Sequence, residues 1–169
     1  MTKKRKAATR QERRRVSPTA LDAATGALKL DDYANALVPA LTRKAFLASP
    51  LCKAAGDLIV NEPWHSWQLA DCRIGGRTFL MGVFFEGERL DMIQLYLQDP
   101  SFGTSWEDFS PEKEKARQVA QSRWLASQLT SAGTRAPHDD ERRFSWGVVG
   151  NYYDPHNMQW SIVISYGRK

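Results

Sequence analysis

Residues 102–130, FGTSWEDFSPEKEKARQVAQSRWLASQLT, join an aromatic, acidic loop to a segment whose helical reading rests on several independent signals. Ser110 suits an N-cap, because its hydroxyl can accept from an orphan first-turn N–H, and Pro111 suits the first helical position. Glu112 and Glu114 then lie near the positive end of the helix dipole. Ala116, Val119, Ala120, Arg123, Trp124, Ala126 and Leu129 recur at spacings of three and four, which predicts that this side of the helix faces a core. Thr130, Ser131, Ala132 and Gly133 supply the stop, with Gly133 free to take the left-handed conformation beyond the last turn.

Working outward, residues 17–49 are rich in Ala and Leu, with capping candidates at Asp31 or Asp32 and at Thr42, and predict two short helices broken near Pro39. Ser49 and Pro50 repeat the N-cap and first-position pattern and open a further helical turn, ended by Gly56. From Leu58 the period changes to alternation. Trp64–Leu69 reads as a strand, Gly75 and Gly76 as a turn, and Thr78–Glu86 as a strand apolar on both faces and therefore central in a sheet. Gly87 allows a tight connection to Leu90–Gln98, which returns antiparallel. After the long helix, Trp146–Tyr153 and Met158–Tyr166 alternate about a turn at Asp154, Pro155, His156 and Asn157. The expected fold is α+β: an antiparallel sheet of about five strands, one face covered by the long helix, preceded by short N-terminal helices.

The chain has 169 residues and a net charge of +5, distributed unevenly. Lys3, Lys4, Arg5, Lys6, Arg10, Arg13, Arg14 and Arg15 against Glu12 give residues 1–18 a charge of +7, and the remainder carries −2. A segment so charged and so poor in apolar side chains is expected to be a disordered basic tail, leaving residues 19–169 as a single domain. Its eight cations could bind nucleic acid through phosphates, or simply solubilise the chain; a bipartite nuclear-import signal has meaning only in a eukaryotic setting. Cys52 and Cys72 are too few for a disulfide framework and read as free thiols. The longest apolar run, Phe79 to Phe85, is too short to span a membrane, and no apolar stretch follows the charged N-terminus as a secretory signal requires, so a cytoplasmic location is expected.

Catalytic signatures are absent from the sequence. Gly75 and Gly76 lack the companions of a phosphate loop, and there is no HExxH, paired CxxC, GxSxG or EF-hand pattern. Cys72, His65 and Asp71 could be drawn as nucleophile, base and orienter, but adjacent strand residues point to opposite faces, so Asp71 and Cys72 should diverge. His138, Asp139, Asp140 and Glu141 sit beside Arg142 and Arg143 and read as a solvated loop. No catalytic residue, cofactor or metal is expected.

The informative charge lies in residues 86–114, where eight acidic groups face only Arg89 and Lys113, giving −6 with Phe102, Trp106 and Phe109 interleaved. Aromatic anchors ringed by carboxylates form a surface for a basic partner, with the acids supplying steering. The candidate contact residues are Glu86, Glu88, Asp91, Trp106, Glu107, Asp108 and Glu112. The competing reading packs Trp106 and Phe109 beneath the loop as a staple for the helix and leaves the acids solvated.

The segments LTRKAFLASPL (41–51), NEPWHSW (61–67), GTSWEDFSPEKEKAR (103–117) and WGVVGNYYDPHNMQWSIVISY (146–166) resemble a set of small, uncharacterised bacterial proteins. Proteins of that set are often immunity partners of polymorphic or contact-dependent toxins. The resemblance covers residues 40–166, omits the basic tail, and brings no catalytic residues with it. It implies a compact, non-secreted bacterial domain; taken with the acidic, aromatic region, the leading expectation is a non-enzymatic inhibitor of a basic toxin domain, and the alternative is a nucleic-acid-associated protein acting through residues 1–18.

Overall fold

A computed structural model describes residues 19–56, 58–103, 105–129, 134–135 and 140–167. The expected basic tail and the helix stop at 130–133 lie outside these. Two short helices, α1 (Arg43–Leu47) and α2 (Pro50–Lys53), open the regular structure. Strands β1 (Leu58–Asn61), β2 (Trp64–Ile74), β3 (Arg77–Glu86) and β4 (Arg89–Leu97) follow as a meander. The long helix α3 (Pro111–Gln128) comes next, and then β5 (Thr134–Arg135), β6 (Arg142–Phe144), β7 (Gly147–Asp154) and β8 (Gln159–Tyr166).

The strands form one antiparallel sheet in the order β1-β2-β3-β4-β8-β7-β6-β5. The expectation of about five strands is therefore too low: five long strands were read correctly, and β1, β5 and β6 add four, two and three residues at the edges. Strands that short carry too few alternations to register as a period. The two hairpins meet at β4 and β8, where Met92–Leu95 pair with Ser165–Ile162.

One face of the sheet carries the core. Phe79, Met81, Val83 and Phe85 of β3, with Ile93 and Leu95 of β4 and Ile162 and Ile164 of β8, are fully buried there. Phe46 of α1 packs on Trp67 and Phe85, and Trp124 of α3 packs on Phe79, so the helices lie on this face. The opposite face presents Gln68, Leu80, Gly82, Phe84, Gln94 and Tyr96, all partly exposed or exposed.

Of the helices expected over 17–49, only α1 forms, capped by Thr42, whose hydroxyl accepts from Ala45 N at 3.1 Å. Residues 19–41 instead run as irregular chain that inserts Leu21, Leu28, Leu30 and Leu37 into the core. Isolated bridges join Leu21 to Leu28 and Leu28 to Leu37. Asp31 caps no helix; its carboxylate accepts from Gly75 N and Gly76 N at 3.0 and 2.9 Å, holding the β2–β3 turn. Long-range bonds of this kind override local helical propensity. α2 starts at the expected Ser49 cap but ends on Ala54, two residues before Gly56.

The bounds and N-cap of α3 match expectation: Ser110 accepts from Lys113 N at 3.2 Å. Its buried face matches in part. Trp124 and Leu129 are buried and Ala120 packs on the core, as expected, but Ala116, Val119, Arg123 and Ala126 are exposed, whereas Glu114, Arg117, Gln121, Leu125 and Gln128 are buried. The helix thus docks through a largely polar seam, and the hydrogen bonds show why. If the β4–β8 register continued, Leu97 would stand opposite Trp160, but pairing stops at Leu95 and Ile162. The groups left open are taken by α3. Gln121 Oε1 accepts from Leu97 N at 2.9 Å and its Nε2 donates to Trp160 O at 3.1 Å. Arg117 donates to Leu97 O, and Glu114 Oε1 accepts from Trp160 N at 2.7 Å. One helix face therefore completes a strand pair that splays apart, satisfying buried backbone groups that would otherwise carry a desolvation cost.

Candidate functional site

The polar seam also fixes the loop that follows β4. Asp99 caps a 3-10 turn at Pro100–Phe102, accepting from Ser101 N at 2.9 Å, and this pairing with Ser101 holds its carboxyl below the usual range. Arg117 Nη2 donates to Phe102 O at 3.1 Å, and its guanidinium lies 4.0 Å from the Tyr96 ring centroid and 5.3 Å from that of Phe102. Glu114 holds the same guanidinium at 3.0 Å. A buried ion pair thus grips the root of the loop. Burial raises the Tyr96 hydroxyl above its ordinary pKa.

On that base, a second 3-10 turn, Trp106–Asp108, leads into the Ser110 cap. Trp106 is 68% exposed and Phe109 37%, their rings 6.0 Å apart. Glu107, Asp108 and Glu112 are exposed beside them. These aromatics stand on the surface and do not staple the helix from beneath.

The seven candidate contact residues fall into two groups. Trp106, Glu107, Asp108 and Glu112 share the start of α3. Glu86, Glu88 and Asp91 lie at the opposite end of β4, whose nine residues span roughly 30 Å. There they have local partners: Arg89 pairs with Glu86 and with Asp91, and Glu88 accepts from Arg43 Nε at 3.1 Å and Lys44 N at 3.0 Å, docking α1 on the β3–β4 turn. The Lys44 N–H and then Arg43 lower the Glu88 pKa. A carboxylate so lowered contributes stability above its unfolded pKa and loses it as pH falls through the folded value. Glu88→Gln should therefore lower the unfolding midpoint at neutral pH and leave it closer to the parent near pH 3, as urea titrations at the two pH values would show.

Behind Trp106 the open sheet face forms a groove of about 710 Å³, floored by Gln68, Thr78, Gln94 and Tyr96 and walled by the 98–109 loop and the β7–β8 turn. Nothing in the local sequence marked this groove, because it draws on three separated segments. Two of its residues, Asp71 and Met158, hold positive φ, 54° and 52°.

The residues weighed as a nucleophilic set do not assemble as one. Cys72 is buried, and burial, aided by the Asp71 charge, pushes its thiol up to about 11, while Asp71 is exposed. His65 pairs with Glu62 at 3.4 Å. Both cysteines are free thiols. In the 138–141 loop, Asp140 accepts from Ser122 and Glu141 from Tyr152 and Arg143, while His138 lies outside the described residues. Among the described residues no group of three His, Cys, Asp or Glu could hold a metal, and no helix is long and apolar enough to cross a membrane. Lys3, Lys4, Arg5, Lys6, Arg10, Arg13, Arg14 and Arg15 also lie outside the description.

No protein-family model matches the chain, and no curated protein does. Among solved structures it is similar to a chain of "Rhs1-CT in complex with cognate immunity protein RhsI1", with 15% identity, 86% of this chain and 85% of that chain covered, and a TM-score of 0.42.

Proposed function

We propose that this chain is a non-enzymatic protein-binding inhibitor of the immunity type, which neutralises a toxin by occluding a basic surface. The observation that supports it is the exposure of Trp106, next to Phe109 and ringed by Glu107, Asp108 and Glu112. A large aromatic at 68% exposure on a braced loop is ready to anchor a partner, and its ordering cost is already met by Arg117 and the Ser110 cap. The neighbouring carboxylates steer a cationic partner toward it. Glu86, Glu88 and Asp91, distant along β4, add to the long-range field but not to the contact.

The test is purification of the full chain from its own cells with and without nuclease treatment, followed by affinity measurement on the stoichiometric protein recovered. Trp106→Ala is expected to weaken that complex by about 2 kcal/mol, near thirtyfold, with the melting temperature unchanged, and Glu107→Lys with Asp108→Lys to slow association. Unchanged affinity in both variants rejects the site. Recovery of nucleic acid that depends on the cations of residues 1–18 would transfer the function to that segment.

A further inference from the structure

The groove behind Trp106 has features that a sheet face left to solvent does not need. Among the described residues its lining includes carboxylates Asp71 and Asp99 and a single cation, Arg117. That cation is paired with Glu114, bonded to Leu97 O and Phe102 O, and only 4% exposed, so its charge is already balanced and little of it faces the groove. Arg77 acts on Asp99 from outside the lining. Gln98 also lines the groove, and its buried Oε1 has no hydrogen-bond partner. Trp106, Phe109 and Met158 supply exposed apolar surface at the rim.

The two residues with left-handed backbone outside glycine, among those described, both line this groove. Asp tolerates that conformation; Met does so only at a cost, and glycine would relieve it. Met158 thus occupies a position where backbone energetics favour glycine, while its side chain is 42% exposed at the groove rim. Met158 closes the β7–β8 turn, and an exposed side chain held at such a position beside an open cavity is placed for contact.

We propose that the groove receives an extended segment of the protein partner carrying lysine or arginine, with aliphatic stems against Trp106, Phe109 and Met158, basic heads drawn to Asp71 and Asp99, and backbone groups bonded by the glutamine amides of the floor. An extended chain can lie across an open sheet face, and its peptide groups match the donor and acceptor pair of each amide side chain. This rests on the reading of the chain as a protein-binding inhibitor and names the part of the partner that its site takes.

The test uses the full chain and a blocked synthetic peptide, GSVKVRVSG, with the acidic twin GSVEVEVSG, followed by amide and indole NMR. The basic peptide should shift the Trp106 indole and the Gln68, Gln94 and Gln98 side-chain amides saturably, and the twin should not. Asp71→Asn and Asp99→Asn, which keep the backbone conformation and the cap, should together weaken capture about tenfold. Met158→Gly should leave the unfolding midpoint equal or higher while weakening capture, a combination that a purely structural role would not give. Equal binding of both peptides, or shifts spread away from the groove, would overturn the proposal. So would shifts at the same groove resonances in the peptide-free chain when the cations of residues 1–18 are neutralised, which would make that segment the occupant. Peptide capture is measured without the partner, so its failure leaves partner binding at Trp106 standing, and loss of partner binding leaves peptide capture standing.

Discussion

Arg117→Met is expected to destabilise the protein by about 3–5 kcal/mol, because it leaves the Glu114 carboxylate buried without its cation. Arg117 and Glu114 expose only 4% and 6% of their side chains, so water cannot take over the lost contacts. The same substitution removes the donors to Leu97 O and Phe102 O, loosening both the end of β4 and the root of the Trp106 loop. Adding Glu114→Gln should recover part of the loss, since the amide is neutral and can still accept from Trp160 N. Urea unfolding of the two single variants and the double variant gives the cycle; independent, additive effects would show that the pair is not coupled.

Gly147→Ala is expected to cost at least about 4 kcal/mol or to prevent folding, placing it in the tail of single-substitution effects. Gly147 pairs with Tyr166 at the end of the β7–β8 ladder with φ at 156°, and a β-carbon there would stand 2.0 Å from Ser165 O. The obstacle is backbone carbonyl in the adjacent strand, so no side-chain rotation relieves it. Gly76→Ala is the control: φ is also positive, at 76°, but nothing lies within 4 Å of the added carbon, and only the left-handed penalty of about 1–2 kcal/mol applies. Similar melting temperatures for the two variants would contradict this account.

The sequence revealed most where local chemistry decides the structure. Ser110 and Pro111 announce the start of α3, Gly87 and the Asp154 turn announce the hairpins, and β3 declares its central place by being apolar on both sides. It concealed what depends on distant partners. The apolar stripe on α3 pointed outward at Val119 because the demand that turns Gln121 inward comes from Leu97 and Trp160, which are far away in the chain. Residues 19–41 failed as helices for the same reason, since Asp31 serves a turn more than forty residues on. Trp106 was legible as a candidate but not as exposed, because burial of a loop aromatic is settled by its surroundings and not by its neighbours in sequence. The groove was not legible at all: Gln68, Gln94 and Met158 have no local pattern, and only the folded sheet brings them together.

The junction between β4 and β8 has a dynamic consequence. The two halves of the sheet share four backbone pairs there, against nine between β2 and β3; Arg89 adds a bond to Tyr166 O at one end and Gln94 one to Ser161, and where the strands splay at Leu97 and Trp160 the seam is held by side chains of α3. The halves can each keep their hairpins while the joint between them opens, so a sub-global unfolding unit should follow the helix and not the sheet. In such an opening the amides of Leu97 and Trp160 would exchange with solvent together with the backbone of α3, although both residues belong to strands. The loop that carries Trp106 hangs from this same joint, so whatever seizes it from outside would also act as a clasp across the two halves.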